Sequence, residues 1–269
     1  MTDAGILAPD SVARRMNRES FLLLGGTAAL LLQVAHPQVA AGVEQHSSFR
    51  ADPLGRLLRT LNTTLAAVFG TTREARSAMR RIDRRHVPVR GVTASGVPYS
   101  AHDPRLVVWV QVTLVMTSLR LYEGVLGRLS DAEREAYWQE ARFFARELGA
   151  TDDALPATFA DVLVYERAML WREVVPDATA IAVANDVRRP FRWLPAIVSW
   201  PLDAFSAALV PEPLRSALAL PWGRRERMWS RAVIVVLRWL VPRLPYRIRV
   251  VPQARAYEAR MRRVAPSRV

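Results

Sequence analysis

The chain has 269 residues, 51% of them hydrophobic and 23% charged, a composition that excludes intrinsic disorder and is long enough for a large core. It contains no cysteine, which excludes disulfides, thiolate metal sites and cysteine nucleophiles. Its formal net charge is +13, and its basic residues are arginines. Such a balance points to acidic ligands, an anionic membrane surface or nucleic acid. Nucleic acid is disfavoured: no zinc-finger or RNP-type motif is present, and the arginines beyond Arg188 alternate with Trp and Val instead of forming one phosphate-tracking run.

Residues 1–17 read as a flexible N-terminal segment, polar and of mixed charge, without the short apolar core and small-residue cleavage site of a secretory leader. That places the protein in the cytoplasm, or peripherally at a membrane. Residues 18–269 read as one all-α domain built around buried central helices. Residues 18–35 form a buried helix, because the run Phe21–Ala35 is broken by Gly25-Gly26 and Gln33 and falls short of the roughly 20 residues needed to span a bilayer. His36-Pro37 ends it, and Pro37 opens a helix over 37–46. A further helix covers 54–69, and Thr71-x-x-Glu74 caps the next, over 72–86. Pro88, Gly91, Gly96 and Pro98 then mark an extended loop or short hairpin between residues 87 and 104.

From Arg105 to Tyr122 the chain is apolar almost all round, as a central helix should be. Ser130-x-x-Glu133 starts a helix that ends at Gly149, and Thr158-x-x-Asp161 marks another within 155–175. A shorter helix covers 177–188, and Pro190, Pro195 and Pro201 mark irregular packing. Helices follow at 211–219, 224–241 and 253–264. The arginine-rich part 224–269 admits two readings. It lies on an anionic lipid surface, or Trp222, Trp229 and Trp239 are core residues whose neighbouring arginines form a solvated face.

The chemistry concentrates on two neighbouring helices. Arg56, Arg59, Thr60 and Thr63 share one face of 54–69, while Leu57, Leu58, Leu61, Leu65 and Val68 occupy the other. Guanidiniums on an apolar helix need partners, and Asp52, Asp83, Asp103 or an anionic ligand are the candidates. His86 continues the apolar stripe Ala75, Met79, Ile82 and therefore points inward; the ordinary reading is a satisfied core histidine. With His36, His46 and His102 it makes a three-histidine metal site conceivable, with Asp52 or Asp103 as carboxylate, although no HExxH or other tight ligand spacing occurs. No G-x-S-x-G elbow is present, and Gly25-Gly26 is no phosphate loop. One inward imidazole beside arginines is also compatible with a haem pocket.

The segments HPQVAAGVEQHSSF, RLLRT, HVPVRG and GVPYSAHDPRLVVWVQVTLV resemble the MpaB oxygenase family, which includes the latex-clearing proteins or rubber oxygenases. The likeness covers residues 20–175, and the remainder more loosely. It implies an all-helical protein with haem b that uses dioxygen on a hydrophobic, isoprenoid or lipid-like substrate. His86, Val89 and Arg90, followed by Gly96 and Pro98, match the context of the family's axial histidine, which implies His86 as iron ligand and Arg90 beside the cofactor. Arg56, Arg59 and Thr60 match its Arg-x-x-Lys-Thr segment on the distal side, with arginine replacing lysine. Arginine keeps its charge and cannot ligate iron, so an open or water-held sixth position is implied. Gln111 stands where relatives carry histidine. The resemblance also makes the helix 105–122 the wall of a substrate channel. The alternatives are a non-catalytic membrane-associated binding protein and a non-haem iron enzyme using the histidines.

Overall fold

The computed structural model describes residues 3–47, 53–189 and 195–263, with the backbone alone described at 53–54, 56–58 and 196–197. Helices dominate, as expected, in the order α1 (Val12–Asn17), α2 (Gly26–Val34), α3 (Pro37–His46), α4 (Pro53–Phe69) and α5 (Thr72–His86). A two-stranded hairpin follows, β1 (Arg90–Val92) and β2 (Pro98–Ser100), and then α6 (Pro104–Leu126), α7 (Asp131–Glu147) and α8 (Phe159–Ala168). The chain closes with α9 (Ala178–Arg188), α10 (Ala196–Leu209), α11 (Glu212–Ala217), α12 (Arg224–Leu240), α13 (Tyr246–Arg249) and α14 (Pro252–Arg262).

The starts of these helices follow from local side-chain chemistry. Thr71, Ser130 and Thr158 each form the reciprocal cap foreseen for them: the hydroxyl accepts from the N–H of Glu74, Glu133 or Asp161, whose carboxylate accepts from the cap's own N–H. α7 ends before Gly149, whose φ of 101° suits a residue without Cβ.

α6 is the axis of the core. It is long and apolar enough to cross a bilayer, but 67% of its most apolar stretch is buried inside the fold, so it is a core helix. α2, α7 and α12 pack around it, with Trp109 of α6 and Trp138 of α7 almost fully enclosed. Each indole donates to a carbonyl, Trp109 to Gln33 and Trp138 to Pro156, so neither polar N–H is stranded. Gly25 lets the chain pass close to α6: a Cβ on it would sit 3.3 Å from both Leu121 and Thr117, a tight contact.

Several expectations are corrected in detail. The helix expected over 18–35 is a 3-10 turn over Ser20–Gly25 followed by α2, and that stretch diverges from α3 by 108°. The segment before residue 18, expected to be flexible, carries α1, whose Ala13, Arg14 and Met16 are buried against the body of the fold. The tract 155–175 is α8 finishing in a wide π turn, closed by Val174 N–H donating to Met169 O. Pro201, read as a mark of irregular packing, lies inside α10. It forfeits one helical hydrogen bond near the helix start, and the burial of Ala204, Phe205, Ala207 and Leu209 outweighs that loss. Of the three tryptophans offered as core, Trp222 is half-buried against the core, whereas Trp229 and Trp239 are exposed.

Candidate active site

α4 and α5 are joined only by Gly70 and Thr71, and Ala67 packs with Ala78 and Met79 across the pair. This antiparallel hairpin carries the first turns of α4 toward the level of His86, at the end of α5. The chain leaves α5 through Val87–Val89, makes the β hairpin and returns at Ala101, whose N–H donates to Val89 O at 2.8 Å. The base of the hairpin thereby brings His102 back beside His86.

The hairpin is held against α3. Tyr99 is buried and its hydroxyl donates to Gln45 Oε1 at 2.6 Å; Gln45 Nε2 donates in turn to Val92 O at 3.2 Å. Gln38 Nε2 donates to Pro98 O at 2.6 Å, and His46 Nε2 meets Arg90 O at 3.2 Å. Gly42 permits this approach, because a Cβ there would lie 3.3 Å from Val89 and 3.5 Å from Tyr99.

His86 is the half-buried imidazole of this site. Its Nδ1 is enclosed and has no hydrogen-bond partner among the described residues. Burial pushes its pKa below the ordinary value, neighbouring His102 pushes it the same way, and Asp83 opposes both. The ring is therefore neutral near pH 7. The His102 ring stands edge-on to it, with centroids 6.0 Å apart, and its Nε2 lies 2.9 Å from Asp83 Oδ1. The inward orientation of His86 agrees with its place on the stripe. The Asp83–His102 pair was not foreseen, since Asp83 and Asp103 were both offered to the arginines. Asp103 instead caps α6 and pairs with Arg105 at 2.8 Å.

The polar side of α4 lies partly at the surface. Arg59 and Thr60 are exposed, so they need no buried counter-ion. Thr63, on the same face, is buried and donates to Arg59 O at 2.7 Å. Asp52 and the side chains of Arg56, Leu57 and Leu58 lie outside the described residues. Arg90 is exposed on β1 and engages His46 through its carbonyl. His36 starts α3: its Nδ1 accepts from Gln38 N–H at 3.3 Å. Gln111 is half-buried on α6. Among the described residues no three His, Asp or Glu side chains come together in a way that could hold a metal ion. The three-histidine arrangement is therefore not formed by His36, His46, His86 and His102.

Comparison with known sequences decides the family. The family described as ER-bound oxygenase mpaB/B'/rubber oxygenase, catalytic domain, matches residues 13–239. The chain belongs to this family. The mpaB/rubber-oxygenase domain thus spans α1 to the last turn of α12, and takes in both the α4–α5 pair and the hairpin. Two mycobacterial proteins, the uncharacterized protein Rv2237 of Mycobacterium tuberculosis and the uncharacterized protein Mb2261 of Mycobacterium bovis, resemble it over most of its length. Each is 26% identical over 236 residues, covering 82% of this chain and 89% of its own. At the level of reaction class, the chain carries an oxygenase catalytic domain.

Proposed function

We propose that the protein is a haem b-dependent oxygenase acting on a hydrophobic, isoprenoid- or lipid-like substrate, with His86 as the iron's protein ligand. The observation that carries this reading is a neutral imidazole whose buried Nδ1 has no partner among the described residues. An unsatisfied buried polar nitrogen costs about 1–3 kcal/mol, and a ligand that takes its lone pair would remove that cost. The residues present fit the cofactor. A single imidazole meets its need for one protein bond, and a neutral ring has the lone pair to make it. A non-haem iron centre needs several ligands converging on one point, and that convergence is not found among the described residues.

Haem b, when bound, supplies the dioxygen chemistry, and the protein supplies orientation and electrostatics. His86 holds the cofactor from the end of α5. Asp83 and His102 fix the polar surroundings of that ring, Asp83 accepting from His102 Nε2 and thereby setting its tautomer. Arg59, exposed on α4, is suited to an acidic group at the solvent edge. Arg56, Arg59 and Thr60 are the residues assigned to the oxygen-facing side. α6 contributes through Leu106, which packs with Tyr99 and Ala41 beneath the hairpin.

The test is an absorption spectrum of protein expressed with a haem supply, beside His86→Ala and His102→Ala. A Soret band in the wild type, lost in His86→Ala and kept in His102→Ala, is the expected result. A folded wild type without the band sinks the reading.

A further inference from the structure

α12 has three sides. At about 100° per residue, Glu226, Ser230, Val233, Ile234 and Leu237 form one side, which is buried or half-buried and faces α6 and α10. Arg224, Arg227, Arg231 and Arg238 form the next. The third carries Met228, Ala232, Val235, Val236 and Trp239, with Arg225 among them at its N-terminal end, and it faces outward. Val235 is 63% exposed and Trp239 62%, so this apolar stripe is not part of the core. Exposed apolar residues are ordinary singly, but a continuous helical stripe of them marks an interaction surface.

The stripe opens at its N-terminal end into a shallow groove of about 580 Å³, lined by Trp200, Arg224, Arg225, Met228, Trp229 and Ala232. Its wall is apolar, and the guanidiniums stand over it; Arg225 lies 3.8 Å above the Trp200 ring. α10, packed along α12, adds exposed Val198 and Leu202.

We propose that this face of α12 docks the protein on an anionic lipid bilayer, the apolar stripe entering the acyl boundary and the flanking arginines meeting headgroup phosphates. Charge selects this occupant. α12 carries five arginines and one acid, and that acid, Glu226, already accepts from Trp200 Nε1 and Gly223 N–H. A second copy docked by two-fold symmetry would set the same arginines against each other. An anionic bilayer instead offers apolar depth beneath a phosphate layer, and it attracts arginines and interfacial tryptophans together.

The test is co-sedimentation of the full chain with vesicles of phosphatidylcholine, alone or with phosphatidylserine. The wild type is expected to pellet with the anionic vesicles only, and less as salt is raised. Arg224→Gln with Arg231→Gln is expected to weaken binding about fivefold for each arginine removed. Val235→Ser with Trp239→Ser is expected to abolish it. Trp171→Ser, a control at an indole 65% exposed on another element, is expected to bind as the wild type does. All variants are surface changes, and circular dichroism checks their fold. A wild type that stays in the supernatant with anionic vesicles at low salt overturns the proposal. So does a stripe variant that converts a vesicle-free dimer to a monomer by light scattering, which would make a second copy the occupant.

Discussion

Replacing His86 with leucine should stabilise the protein without its ligand and abolish its capacity to take one. The buried Nδ1 has no partner among the described residues, so the folded chain carries a penalty of about 1–3 kcal/mol for that atom. Leucine fills a similar volume with apolar atoms and removes the unsatisfied nitrogen, and repacking takes back part of the gain. The net effect is a stabilisation of about 1–2 kcal/mol. For a chain of this size that raises the melting temperature by about 2–6 °C. The assay is thermal unfolding by circular dichroism of ligand-free wild type and variant, repeated after titration with haem. Added haem should raise the wild-type melting temperature by mass action and leave the variant unmoved, reversing their order. A ligand-free variant that melts several degrees below the wild type would refute the reasoning, because His86 would then be a structural histidine with a satisfied nitrogen.

The remaining expectations concern the scaffold. His36 must be neutral for its Nδ1 to accept from Gln38, and burial holds its pKa below 6.5. The unfolded chain therefore binds a proton first, and the stability this histidine contributes is lost as pH falls below 6.5. His36→Asn, a non-titrating N-cap, should flatten that part of the stability–pH curve; an unchanged curve would refute it. Gly42→Val should force the hairpin off α3, lowering stability by about 1–3 kcal/mol and weakening haem binding in parallel, as chemical denaturation and a haem titration would read. Arg120→Met leaves Glu166, which is buried and bonded to Arg120 Nη2 at 2.6 and 2.7 Å, without its counter-ion, and should cost about 3 kcal/mol. Adding Glu166→Leu should recover most of that loss in urea unfolding.

What could be read from the sequence were the features determined locally. Three capping boxes, the break at His36-Pro37 and the glycine after α7 each depend on residues within one turn of one another, so their chemistry is visible in a short window. His86 was legible for a similar reason: it continues a stripe whose other members, Ala75 and Met79, have to be buried. The hairpin was legible as punctuation, through Gly96 and Pro98, but its strands are too short to show alternation. α10 was not legible, because Pro201 is a strong local signal against a helix, and the burial that overrides it comes from α12, distant in sequence.

The Asp83–His102 pair shows where local reading ends and what the ending costs. Asp83 and His86 are one turn apart on α5, but nothing in their spacing says which residue will face them. His102 arrives there only because the hairpin register, Arg90 opposite Ser100 and Gly91 opposite Tyr99, returns the chain to Val89. That register rests on Tyr99, Gln45 and Gly42, which secure the hairpin to α3. The arrangement around His86 is thus set by a helix forty residues earlier in the chain, on the order of the separation between Gln45 and the imidazole. Disturbing α3 should therefore reach His86 without touching it, and the Gly42 variant separates that account from a purely local one. If Gly42→Val lowered stability and left the spectrum and affinity of bound haem untouched, the hairpin would be packing alone, and His86 would be positioned by α5.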